Sequence, residues 1–143
     1  MADTEWVPPS EIPELVYEAD VVAIDLETYD PDIKTKGPGW ATNNGKVIGV
    51  AIAANGWKGY FPVGHEKGPN LDERVFKRNF KKILDKDNIK VFHNAMYDVG
   101  WLRQWGLEVK GGIVDTMIAA PLIDENRFRY SLNELSKDYL KEK

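Results

Sequence analysis

The chain has 143 residues, a formal net charge of −4, two histidines and no cysteine. Its length and ordinary apolar content suit one compact domain with a real core. Disulfides, thiol catalysis, Cys-ligated zinc and a histidine-rich metal cluster are excluded, and the mild acidity argues against coating nucleic acid by bulk attraction.

Residues 1–20 read as a lead-in, with Pro8, Pro9 and Pro13 breaking any long helix before a short helical turn over 14–19. The N-terminal stretch is acidic and proline-broken, unlike a signal peptide. Val21 to Thr28 (VVAIDLET) then alternates as a strand. Val22, Ile24 and Leu26 share one face, while Ala23, Asp25 and Glu27 share the other. Two carboxylates so close repel, and a divalent cation is a natural guest because hard cations prefer carboxylate oxygens. Taken alone, Asp-x-Glu reads more readily as a solvated strand end entering a loop.

The long segment after Thr28 is rich in Pro, Gly and Asn and reads as irregular backbone, either a functional loop or a surface excursion, with Trp40 inside it. Lys46 to Ala54 is a second strand. It is the longest apolar run near 47–54 and far too short to span a bilayer. Asn55-Gly56 is a strong hairpin signal, returning the chain along Trp57 to Val63 as a third strand. His65 follows and reads as a solvated loop histidine. Asn70 or Asp72 caps a helix to about Leu84, with Phe76, Phe80, Ile83 and Leu84 inside and a Lys-rich face in solvent.

Ile89 to Phe92 has the look of a buried parallel strand. HNAMYDVGWLRQWG starts a helix directly after it, with Ala95, Val99 and Leu102 as core stripe and Gly106 as terminator. Asn94 and Asp98, four apart, are expected on one face near the helix start. Asp98 is then either a helix-start charge or, with Asp25 and Glu27, a third metal ligand; the pairing favours the ligand. Gly111-Gly112 leads into a strand ending at Asp115, which reads as structural, satisfying backbone donors. A helix over 116–123 and a last helix capped by Ser131, with Glu134 completing a capping box, close the chain.

Three strands, a helix, a strand and a helix is the order of the ribonuclease H-like α/β fold, a mixed sheet of antiparallel meander plus parallel strands. Asp25-Leu26-Glu27-Thr28 resembles the first exonuclease motif of the DEDD superfamily, and His93-Asn94-Ala95-Met96-Tyr97-Asp98 resembles the second. Asp115-Thr116-Met117 and Ser131-Leu132-Asn133-Glu134-Leu135 are similar to the continuation in proofreading domains of family A, polymerase I-like DNA polymerases. The resemblance covers roughly residues 20 to 140. It implies a domain over 21–143 that hydrolyses phosphodiesters at a single-stranded DNA 3′ end. It implies Mg²⁺ or Mn²⁺ in a two-metal site at Asp25, Glu27 and Asp98, with Thr28 and Asn94 meeting the terminal nucleotide and Tyr97 lining the substrate site. Trp40 is a stacking candidate.

The superfamily's third motif, Tyr or His four residues before a final Asp, is not matched. Tyr130 is followed by Glu134, and Asp138 is preceded by Glu134. We therefore expect a fragment of a longer polypeptide, covalently linked to a polymerase domain and nearly inactive alone. The compartment expected is the cytoplasm of a bacterium or phage-infected cell, or another intracellular compartment, with no membrane partner. An RNA-trimming exonuclease of the RNase D type and a catalytically silent nucleic-acid-binding domain are the alternatives.

Overall fold

The computed structural model describes residues 9–119. In chain order these form α1 (Glu14–Tyr17), β1 (Val21–Tyr29), α2 (Ile33–Lys36), α3 (Gly39–Thr42), β2 (Lys46–Ala54), β3 (Trp57–Pro62), α4 (Glu73–Leu84), β4 (Ile89–Phe92), α5 (Ala95–Gln104), β5 (Gly112–Asp115) and α6 (Thr116–Ala119). The strands make one five-stranded sheet in the order β3-β2-β1-β4-β5. β1 is antiparallel to β2, and β2 to β3, whereas β1–β4 and β4–β5 are parallel. This is the mixed sheet expected from the sequence.

Each element follows from local chemistry. Asn55 and Gly56 take positive φ (50° and 78°), as a tight two-residue hairpin requires, and this fixes the register Ala54 to Trp57. Asp72 caps α4 by accepting from the backbone N–H groups of Arg74 and Val75 at 2.9 and 3.3 Å. The predicted stripe Phe76, Phe80, Ile83 and Leu84 is buried. It packs in one core with Val22, Ile24 and Leu26 of β1, Val50 and Ile52 of β2, Phe61 of β3, Phe92 of β4 and Trp101 and Leu102 of α5. Ile12, Val16 and Ala19 from the N-terminal segment join this core. Burying each large aliphatic or aromatic side chain is worth about 1.5–3 kcal/mol, so the sheet face bearing Val22, Ile24 and Leu26 anchors the fold.

Four expectations need correction. The segment after β1 is not uniformly irregular: α2 and α3 each form one helical turn, tied down when Gly39 N–H donates to Asp30 Oδ2 at 3.1 Å. His65 is half-buried and hydrogen-bonded to Tyr60, not a solvated loop residue. The inner stripe of α5 is Ala95, Asp98, Trp101 and Leu102, with Val99 only partly covered. Asn94 and Asp98 do not share a face, because Asn94 sits before the helix in the left-handed region (φ 75°) and is exposed while Asp98 is buried. The helix expected over 116–123 is seen as far as Ala119; its remainder and the Ser131 helix lie outside the described residues.

Candidate functional site

Strand alternation on β1 turns Asp25 and Glu27 away from the core and into solvent, as the sequence pattern requires. Beneath them on β2 lie small residues, since Asp25 pairs with Ala51 and Glu27 with Gly49. One strand further on, Ala51 pairs with Tyr60. Tyr60 leans back across β2, and a Cβ at Gly49 would stand 1.7 Å from its hydroxyl oxygen. That hydroxyl donates to Glu27 Oε2 at 2.7 Å and lies 2.5 Å from His65 Nε2. Burial first, then the bond to Glu27 and the charges of Glu27 and Asp25, hold the Tyr60 pKa far above its ordinary value, so it is a proton donor throughout the working range.

Asp98 arrives from the other side of β1. β4 ends at Phe92, and Asn94, a residue type that tolerates the left-handed region, turns the chain into α5. α5 has no side-chain cap of its own. Asp115, at the end of neighbouring β5, supplies one. Its Oδ1 accepts from Asn94 N–H at 3.0 Å and Met117 N–H at 2.9 Å, and its Oδ2 from Ala95 N–H at 2.9 Å. Burial raises the Asp115 pKa, but these donors more than reverse it, and the carboxyl titrates below its ordinary value. The structural role read for Asp115 from the sequence is what is observed.

The first turn of α5, so anchored, carries Asp98 into the interior, where it is 3 % exposed. Its pKa is pushed up to about 8, by burial first and next by the charge of Asp25; Asp115 adds to the rise and a backbone hydrogen bond from Leu26 opposes it. Asp98 Oδ2 is buried and has no hydrogen-bond partner among the described residues. An orphaned carboxylate oxygen opposed by a second carboxylate is the environment a divalent cation relieves, so the donor chemistry fits Mg²⁺ or Mn²⁺.

The structure thus brings Asp25 and Asp98 into electrostatic contact, while Glu27 Oε2 is engaged by the Tyr60 hydroxyl of β3. Among the described residues no three His, Asp or Glu side chains stand close enough to form a ready-made metal cluster. Thr28 and Tyr97 do meet: their hydroxyls are 2.9 Å apart, and Tyr97 donates to Asp30 Oδ2 at 2.8 Å. Burial leads the causes that raise the Tyr97 pKa. Asn94 is exposed at the start of α5. The Trp40 ring lies against α5, where a Cβ at Gly100 would come within 2.4 Å of it. With Met96, Val99, Arg103 and Gln104 it lines a groove of about 390 Å³ along that helix.

No role is read for Tyr60 from the sequence, and His65 reads there only as a solvated loop histidine. The signal for Tyr60 was present: a two-residue Asn-Gly hairpin pairs Ala54 with Trp57, and counting back three pairs sets Tyr60 opposite Ala51.

A β3-β2-β1-β4-β5 sheet with carboxylates on its central strand defines a ribonuclease H-like fold, and solved structures agree. Trypanosoma brucei RNase D in complex with RNA U12 superposes with a TM-score of 0.56 at 21 % identity, over 71 % of this chain and 32 % of that one. Brucella melitensis NrnC with bound Mg²⁺ gives 0.52 at 24 % identity, over 79 % and 50 %. The family model described as 3′-5′ exonuclease matches residues 7–143, and the chain belongs to this family, the 3′-5′ exonuclease domains of family A DNA polymerases. Among curated relatives, a DNA-directed DNA polymerase of Pseudomonas phage M6 is 34 % identical over 144 residues, which is 94 % of this chain and 21 % of the relative. DNA polymerase I of Borreliella burgdorferi is 28 % identical over 131 residues, 91 % of this chain and 13 % of the relative. The chain therefore spans about a fifth or less of the length of these two polymerases.

Proposed function

We propose that this chain is the proofreading exonuclease domain of a DNA polymerase, releasing nucleotides from a single-stranded DNA 3′ end. In this reading it occupies residues 21–143 behind a lead-in, is covalently linked to a polymerase domain, and works in the cytoplasm of a bacterial or phage-infected cell. The observation that carries it is the juxtaposition of Asp25 with Asp98, whose buried Oδ2 has no hydrogen-bond partner among the described residues. Asp25, Glu27 and Asp98 would hold Mg²⁺ or Mn²⁺, which when bound supplies an activated water and stabilises the leaving 3′ oxygen.

The chain's own residues do the rest. Asp25 of β1 and Asp98 in the first turn of α5 bring two carboxyl groups together at the strand-to-helix end of the sheet, where α/β sites commonly lie. Thr28, Tyr97 and Asp30 form one hydrogen-bonded set that ties the α2–α3 segment to the site wall. Asn94, exposed at the helix start, would meet the terminal nucleotide in this reading. The groove on Trp40 and the exposed Met96 offers an apolar surface for the next base.

The test uses the full-length polypeptide that contains this chain, with 3′-labelled single-stranded DNA and RNA of matched sequence. Mg²⁺-dependent release of mononucleotides from DNA, abolished by Asp25→Ala, is expected. Preferential degradation of RNA would favour the RNase D-type reading, and metal-independent or Asp25-independent release would overturn the site.

A further inference from the structure

Glu27 is an exposed strand residue, and an exposed glutamate ordinarily samples many rotamers. Here it is held by a chain of contacts that begins outside the carboxylate site. Asn70 grips the His65 backbone from both sides: its Oδ1 accepts from His65 N–H and its Nδ2 donates to His65 O, both at 2.9 Å. Leu71 N–H donates to Pro62 O at 2.8 Å and closes the same loop. His65 so fixed meets Tyr60 edge-on, with ring centroids 5.7 Å apart at 77°, and its Nε2 reaches the phenol oxygen. The Tyr60 proton points to Glu27, so the phenol oxygen accepts from His65, which puts a proton on Nε2. Gly49 completes the arrangement, because any side chain there would collide with the Tyr60 hydroxyl.

We propose that Tyr60, held by His65 and seated on Gly49, is a positioning residue for Glu27, fixing Oε2 so that Glu27 meets a divalent cation through its other oxygen. This rests on the metal-site reading above. Outer hydrogen bonds of this kind orient metal-binding carboxylates in advance, and their loss commonly weakens metal affinity 10- to 100-fold. The wide spacing between Glu27 and Tyr60 in the chain, across two strands, means that the contact comes from sheet register and not from a local turn.

The test is Mn²⁺ titration calorimetry on the 143-residue chain, with thermal melting without metal measured alongside. Tyr60→Phe, which keeps the ring, is expected to bind Mn²⁺ about 10- to 100-fold more weakly. His65→Leu should weaken binding in the same direction. His65→Gln, whose amide nitrogen still donates, should stay within about twofold of wild type. In a Glu27→Gln background Tyr60→Phe should add no further loss, a non-additivity that a merely structural role would not produce. Unchanged affinity in Tyr60→Phe, or an equal loss in both backgrounds, would overturn the inference while leaving the metal site standing. If Tyr60→Phe does not fold, the contrast between His65→Leu and His65→Gln decides. A wild-type chain that takes no Mn²⁺ would remove the metal-site reading and this inference together.

Discussion

Asp25 on the central strand helps keep Asp98 on the neighbouring helix protonated. The Asp98 pKa, pushed up to about 8 by burial and by that neighbouring charge, lies above that of an unfolded aspartate. The folded state thus binds more protons than the unfolded one between about pH 4 and pH 8, and linkage makes stability fall as pH rises through that window.

Without metal, the chain should be more stable at pH 5 than at pH 8.5 as far as Asp98 is concerned, and Asp98→Asn should remove this dependence. The variant should gain on the order of 2–5 kcal/mol over wild type at pH 8.5, since each pKa unit corresponds to about 1.36 kcal/mol. Urea unfolding of both proteins at the two pH values measures it. Mg²⁺ should stabilise wild type more than the variant at high pH.

Asp115 carries the opposite sign. Its pKa is held below the ordinary value, so its contribution is present above the unfolded pKa and is lost as pH falls through the folded one. Asp115→Ala strips α5 of its cap and should cost about 1–2 kcal/mol at pH 7 and less in acid. Chemical denaturation at pH 7 and pH 3 reads the difference.

Lys90 lies on the core face of β4, fully buried, with its ammonium reaching the carbonyls of Lys86 at 2.6 Å, Asn88 at 3.5 Å, and Lys110. Lys90→Met keeps the stem and strands those acceptors. We expect a loss of about 2–4 kcal/mol, measured by urea midpoint, with no change in metal affinity.

Gly100→Ala should push the Trp40 ring off α5, because its Cβ would stand 2.4 Å from the indole. Overpacking of this kind costs about 1–3 kcal/mol. Trp40 fluorescence should shift to the red as the ring gains water, and the groove beside it should change shape.

The sheet was largely legible in the sequence because its signals are local. Alternation placed Asp25 and Glu27 on one face, Asn55-Gly56 fixed a hairpin, and Asp72 marked a helix start. What eluded sequence reasoning depends on partners far apart in the chain. His65 becomes half-buried only because Tyr60 leans over Gly49 toward Glu27. Asp98 leaves the face of Asn94 because the left-handed turn at Asn94 breaks the helical phase that a spacing of four assumes. Lys90 inside a strand is tolerated because carbonyls from two loops converge on it, and no pattern within the strand announces them.

The central claim is that Asp25, Glu27 and Asp98 bind a divalent cation, and a Mn²⁺-soaked crystal of the chain tests it most directly. Anomalous density is expected within coordination distance, roughly 2.0–2.6 Å, of the carboxylate oxygens of Asp25 and Asp98. Glu27 should reach the same ion through the oxygen that Tyr60 does not hold. Density at other surface carboxylates with none at Asp25, at Mn²⁺ concentrations that support nucleotide release by the full-length protein, would contradict the account.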